Sequence, residues 1–293
     1  MKKLLGGILM TFLCAFGAHA ALKVASLHPL LSDMARQVGG SAVEVVDLFP
    51  ENGSLHAFEP TAADVGAAAG ASLVLACGKG VEPYLDDLRD SLPARTQVIE
   101  LGKAVPDGFL PGSRIADPHW WNSPLAMKRA SRMLRTVLEN AVPGQKSTFT
   151  RGQRAYAAQM DALVREARLA FASIPPERRV LVCSHAAMSH FCKEFGFTTV
   201  AVHGISQESE GDTASLARIL AELRQHPVPC LFHGVNETPR VLQTLASQLS
   251  ASTRPLAMDG IYPACRSYAE LFRYNVAHIA NGLKATPAEA ASH

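Results

Sequence analysis

Three histidines and an aspartate, His56, His119, His185 and Asp259, are the side chains of this 293-residue chain best suited to hold a divalent ion. Three imidazoles and a carboxylate suit a borderline cation, and four such donors can close a tetrahedron around zinc. His119 is the most distinctively placed. It lies in Asp117-Pro-His-Trp-Trp-Asn-Ser-Pro, which holds both tryptophans of the chain, and Pro118 restricts the backbone that mounts the imidazole. Trp120 and Trp121 are expected to pack its base. Singly, each of the four has a plainer reading. A loop histidine is more often solvated or a helix cap, and an aspartate before glycine is more often a turn residue.

The elements that must position them recur in a regular rhythm. Leu22–Ser26, Val43–Phe49, Leu73–Cys77 and Gln97–Leu101 are short β-rich runs, and Pro29–Val38, Thr61–Ala69 and Val81–Leu92 between them have helical character. The second half predicts strands at Val180–Cys183, Thr198–Val202, Cys230–His233 and Pro255–Met258, with helices near 186–195, 213–225, 238–249 and 267–282. Alternation of this kind implies right-handed crossovers and parallel sheets. No residue-level repeat relates the halves; the likeness is one of architecture.

Between the halves the period changes. Met127, Ala130, Leu134, Val137 and Leu138 mark one amphipathic helix, ended by Val142-Pro143-Gly144. Tyr156, Met160, Leu163, Val164, Ala167, Phe171 and Ile174 mark a longer one, stopped by Pro175-Pro176. From Lys146 to Ser173 it would be roughly 40 Å long, enough to join two lobes as a strut. The expected class is α/β: two lobes, each a parallel four-stranded sheet with flanking helices, joined by a long linker helix. The expected boundaries are a leader over 1–20, a metal-binding lobe over 21–143, the linker helix over 144–176, a second metal-binding lobe over 177–284 and a loose tail over 285–293.

Open parallel sheets bind ligands just beyond the carboxyl ends of their strands. All four candidates fall there. His56 follows the second strand, His119 belongs to the loop after the fourth, His185 lies two residues after Cys183, and Asp259 directly follows Met258. Two come from each half, so the site is expected between the lobes.

Lys2 and Lys3, the apolar run from Leu4 to Phe16 and Ala18-His19-Ala20 read as a secretory signal peptide, too short for a stable membrane span. Leu13 precedes Cys14, where lipid attachment calls for a small residue, so a soluble exported protein in a periplasm-like space is expected. Removing the leader leaves 26 basic against 26 acidic residues. Bulk charge then offers nothing to nucleic acid or to an anionic membrane. Five cysteines remain, Cys77, Cys183, Cys192, Cys230 and Cys265, so at least one stays unpaired in an oxidising compartment. A Cys230–Cys265 bridge is one option, and no C-x-x-C spacing suggests a zinc knuckle.

Gly53-Ser-Leu-His56-Ala-Phe-Glu-Pro, Asp117-Pro-His119-Trp, Ser184-His185-Ala-Ala with Phe195-Gly196-Phe197, and Met258-Asp259-Gly260 resemble a known set. In order and spacing, over about residues 22–283, they are similar to the ligand motifs of the cluster A-I (TroA/ZnuA-like) metal-binding proteins of ABC transporters. That resemblance implies two α/β lobes, metal carried in the cleft, delivery to a permease driven by an ATPase, and no catalysis. It implies His56, His119, His185 and Asp259 as ligands. Histidine at the third position resembles the zinc-type members, whereas manganese-type members often have a carboxylate there. Zn²⁺ is thus the expected cargo, with Mn²⁺ or iron as the alternative, and a periplasmic monomer the expected form.

Three departures stand out. Residues 103–116 are short and lack histidine, where zinc-type relatives often carry a long His- and Asp-rich loop. Gly234, in Leu231-Phe-His-Gly-Val-Asn-Glu, stands where the family usually has glutamate. His190 stands where tyrosine is common and reads as a helix-surface residue, with a place behind the ligands as the alternative. His28 reads as a cap or a neighbour of the metal, and His203, with Gln207, Glu208 and Glu210, as a cleft-rim loop. His233 ends a strand, and His226 and His278 read as surface or helix residues. Protonation of the ligands should weaken binding as the pH falls through about 6. Two rivals are a zinc hydrolase, with Glu59 or Glu208 as base, and a surface adhesin. Against the hydrolase, Asp259 would fill the fourth position and no H-E-x-x-H motif is present.

Overall fold

The computed structural model describes residues 20–50, 53–110, 113–204, 213–226, 228–260, 262 and 264–284. The expected leader, the tail and the segment with Gln207, Glu208 and Glu210 lie outside the described residues.

The first half runs β1 (Leu22–Ser26), α1 (Pro29–Gly39), β2 (Val43–Asp47), α2 (Ala62–Ala69), β3 (Leu73–Ala76), α3 (Leu85–Ser91) and β4 (Gln97–Glu100). Its sheet is parallel throughout, in the order β2-β1-β3-β4. Central parallel strands are covered on both faces and must be apolar on both. Hence β3 reads Leu-Val-Leu-Ala and is buried along its length. Val24, Leu73 and Leu75 join the main core, while Ala25, Val74 and Ala76 pack on the other face with Leu85 and Leu88.

An antiparallel hairpin follows, β5 (Gly108–Phe109) with β6 (Ala116–Asp117), where the sequence predicts only loop. Next comes α4 (Pro124–Ala141). Proline opens it, and the Ser123 hydroxyl accepts the Ala126 N–H as its cap. The strut is α5 (Lys146–Phe171), 26 residues long. Its buried stripe, Phe149, Gln153, Tyr156, Met160, Leu163, Ala167 and Phe171, recurs every three or four residues and packs on α1 and α4. Where α5 crosses α1, Gly152 is a matter of space. A Cβ there would lie 2.3 Å from the Val38 carbonyl oxygen and 2.8 Å from that of Gln37. Glycine to alanine inside a helix ordinarily stabilises by about 1 kcal/mol. Here the obstacle is backbone, so Gly152→Ala is expected to destabilise by about 1–3 kcal/mol, read as a lower Tm of the metal-free protein.

The second half runs β7 (Val180–Cys183), α6 (Ser189–Phe195), β8 (Thr198–Ala201), α7 (Thr213–Leu223), β9 (Cys230–Gly234), α8 (Arg240–Leu249), β10 (Ser252–Leu256) and α9 (Tyr268–Lys284). Its parallel sheet has the order β10-β9-β7-β8, the same succession as the first, and α9 packs back on α5. The last strand begins three residues earlier than the Pro255–Met258 expected. It is an edge strand, so its outer half can be polar, and Pro255 sits opposite His233 where an edge tolerates a missing N–H.

The five cysteines from Cys77 to Cys265 are free thiols, which corrects the Cys230–Cys265 option. Cys230 opens β9 against Gly282 of α9, whereas Cys265 lies before α9 in a pocket with Pro29 and Leu30. Among the described residues no helix is long and apolar enough to cross a membrane.

Candidate metal site between the lobes

The two sheets bring their carboxyl ends together, and the four predicted residues meet there. Their donor atoms all lie within 4.8 Å of one another. His56 Nε2 is 3.1 Å from His119 Nε2, and His185 Nε2 is 2.9 Å from Asp259 Oδ1. The same Asp259 oxygen is 3.8 Å from the Nε2 atoms of both His56 and His119. Donors at 2.0–2.2 Å from a tetrahedral zinc stand about 3.4 Å apart, so this spacing fits one ion without large rearrangement.

Two of the imidazoles are backed by carboxylates. His119 Nδ1 donates to Asp117 Oδ1 at 2.8 Å, and the His119 backbone N–H donates to the same oxygen at 2.9 Å. An ionised carboxylate only accepts, so the proton sits on Nδ1 and the Nε2 lone pair faces the cluster. His185 Nδ1 lies 3.1 Å from Glu237 Oε1. Sequence reasoning assigned no role to Asp117 or Glu237. For Asp117 a signal existed, an aspartate two residues before the histidine; Glu237, 52 positions from His185, gave none.

His28 is the cap and neighbour of the site rather than a ligand. Its Nδ1 accepts the Leu30 N–H at the start of α1, which leaves Nε2–H to donate to the Asp259 carbonyl at 3.0 Å. Of the tryptophans, only Trp121 packs on His119, at 5.3 Å between ring centroids. Trp120 donates instead to the Cys77 carbonyl. His190 is not on the surface. It lies buried beneath the β5–β6 hairpin and donates to the Asp117 carbonyl at 3.1 Å. Its burial follows from that hairpin, which the sequence did not reveal. His233 bonds the adjacent Gly234 carbonyl, His226 is exposed, and His278 stacks on Tyr274 within α9.

The lobes are tied around this cluster. Trp121 Nε1 and Asn122 Nδ2 both donate to the Met258 carbonyl, at 3.0 and 2.8 Å, and Asn122 also reaches the Ala187 carbonyl at 2.9 Å. Tyr268 returns a hydroxyl to the Trp121 carbonyl at 2.9 Å. Asp117 belongs to both systems, because its second oxygen accepts the Ser189 N–H at the start of α6.

The charges are uneven. Burial lowers the pKa of His119 despite Asp117, and takes that of His28 down to about 4. Burial acts the same way on His185, but the Asp259 and Glu237 carboxylates outweigh it and push that imidazole up to about 10. For Asp259 burial favours the protonated form, yet His185 and its neighbours hold the carboxyl well below its usual range. Without a cation, a proton on His185 balances Asp259. Exposure is graded too: the His119 side chain is 0% exposed and His185 1%, against 14% for His56 and 28% for Asp259.

Paired α/β lobes, a helical strut and a cleft holding three imidazole nitrogens and a carboxylate define a bilobal receptor with a cation-type site. The chain belongs to the ZnuA family, the periplasmic component A of zinc-uptake complexes, whose model matches residues 24–282. Its members are extracytoplasmic substrate-binding proteins of metal ABC transporters. The iron-binding protein YfeA of Yersinia pestis is 28% identical over 212 residues, 72% of this chain and 68% of its own. The manganese ABC transporter substrate-binding lipoprotein PsaA of Streptococcus pneumoniae is 26% identical over 278 residues, 89% of each chain. The solved structure of the periplasmic zinc-binding protein TroA from Treponema pallidum matches with a TM-score of 0.82 at 22% identity, covering 90% of this chain and 99% of that one.

Proposed function

We propose that this protein is the zinc receptor of an ABC importer. It captures Zn²⁺ with His56, His119, His185 and Asp259 and delivers it to the permease, acting as a monomer. It works free in the periplasm after loss of its leader. The observation that carries the reading is the convergence of three Nε2 atoms and one Oδ1 atom within 4.8 Å. Relatives named for iron, manganese and zinc share the family, so the donor set rather than the fold must discriminate. Three nitrogens and one oxygen favour zinc, because manganese prefers oxygen-rich shells. Catalysis is disfavoured by the same count. Four protein donors complete a tetrahedron and leave no open position for an activated water, and Glu59 is exposed and outside the cluster.

Metal analysis of protein purified without added metal should recover zinc, and Zn²⁺ should displace Mn²⁺ in direct competition on the stripped protein. Tighter binding of Mn²⁺ would overturn the choice of metal. Unchanged zinc affinity in His119→Ala would overturn the site. Fractionation should release the protein with the periplasmic contents rather than with membranes.

A further inference from the structure

We propose that Glu237 is a positioning residue that sets His185 for the cation, from a seat that exists because residue 234 is glycine. The inference rests on the metal site proposed above.

The strand β9 ends at Gly234, and the chain turns at once, with the Glu237 N–H donating to the Gly234 carbonyl at 3.0 Å. That turn curls the Glu237 side chain back over its own strand end. A Cβ on residue 234 would lie 2.5 Å from Glu237 Oε1, 2.8 Å from the carboxyl carbon and 2.9 Å from Cγ. The carboxylate arm therefore fills the volume that any other side chain at 234 would take. The left-handed region is not the reason for glycine here, since Gly234 is not among the residues with positive φ. Space is the reason.

What the seat accomplishes is visible at the other end of the arm. Glu237 Oε1 meets His185 Nδ1 at 3.1 Å, and the Glu237 side chain is only 6% exposed. The alternative partner, the Ser184 hydroxyl, stands at 3.5 Å, the outer limit of a hydrogen bond. Glu237 thus holds the Nδ1 proton and aims Nε2 at Asp259 and the other ligands. His185 and Glu237 follow the adjacent strands β7 and β9, so the ring is oriented before a cation arrives. Glu237, Asn236 and Asp259 also line a cavity of about 180 Å³ that abuts Gly53 and Ser54 of the other lobe. The carboxylate thus shares that cavity with Asp259, the most exposed of the four candidate ligands. Partners of this kind are worth about 10- to 100-fold in metal affinity.

The test compares zinc affinity in full-length wild type, Glu237→Ala, Gly234→Ala and the double variant, by competition with a chromophoric chelator. Each single change should weaken binding about tenfold or more, and the double should be no weaker than the singles, because both remove one carboxylate from one place. In the zinc-loaded wild type the His185 Nδ1–H should appear in NMR spectra as a slowly exchanging ring proton. It should be lost in both single variants, which a purely structural role of Glu237 would not produce. Unchanged affinity in Glu237→Ala, or losses that multiply in the double variant, would overturn the proposal. If Gly234→Ala does not fold, Glu237→Ala decides alone, by affinity and by the ring proton. His119→Ala serves as the reference. Its loss of binding beside an unaffected Glu237→Ala would sink this inference only, whereas retained binding in His119→Ala would sink the site itself.

Discussion

Replacing His119 by alanine is expected to lower zinc affinity by ~10²- to 10³-fold, on the reasoning that four ligands share ~10–16 kcal/mol in a structural-type zinc site and each tenfold is about 1.4 kcal/mol. Two features put His119 at the upper end. Its side chain is fully buried, so water cannot easily take the vacated position. Its removal also takes the ring N–H from Asp117, whose side chain is 0% exposed and which keeps the backbone N–H groups of residue 119 and Ser189. A buried carboxylate that loses a charge-assisted partner is destabilising in itself. His56→Ala should cost less, since its ring is partly exposed and its Nε2 faces only the cluster among its hydrogen-bond contacts. The two variants, titrated side by side against a chelator of known affinity, should therefore rank in that order. A loss below about tenfold for His119→Ala would remove it from the ligand set, because even a group behind a ligand is worth that much.

The contrast between these residues also explains what the sequence could and could not reveal. Buried parallel strands such as Leu73–Ala76 and the stripe from Phe149 to Phe171 were legible, because burial imposes a period that residue types must obey. His119 was legible because proline and two tryptophans surround it. The β5–β6 hairpin was not, since two-residue strands are too short to carry a period, and without it the sequence favours the surface for His190 over its buried place behind Asp117. The interlobe ties were equally hidden. Trp121, Asn122 and His28 bond to main-chain carbonyls of Met258 and Asp259, and a carbonyl carries no residue identity. Gly234 is a visible departure in the sequence, but only the structure reveals that Glu237 fills the space it leaves.

Zinc affinity is expected to rise with pH well beyond the range of an ordinary histidine, by about tenfold per unit between pH ~7 and ~10, one proton being displaced per ion. From the sequence alone the transition falls near 6, as for unperturbed imidazoles. His185 moves it, because Asp259 and Glu237 overcome the effect of burial and raise its pKa to about 10 in the metal-free protein. The direction is unambiguous. Zinc needs a neutral Nε2, the metal-free site keeps a proton there below about 10, and so each fall in pH through that window makes the proton harder to displace. His119 adds a second proton only at low pH, since burial lowers its pKa. The same pairing stabilises the empty protein in the opposite sense. The raised pKa of His185 contributes stability that is full below the unfolded value of ~6.5 and is lost as the pH rises through about 10. The depressed pKa of Asp259 contributes stability that is lost as the pH falls below its ordinary range. Calorimetric titration with zinc in two buffers of different ionisation enthalpy, at pH 8, should report close to one proton released per ion. Release near zero would mean that His185 is already neutral before the cation arrives, and that the carboxylates around it orient the ring without charging it.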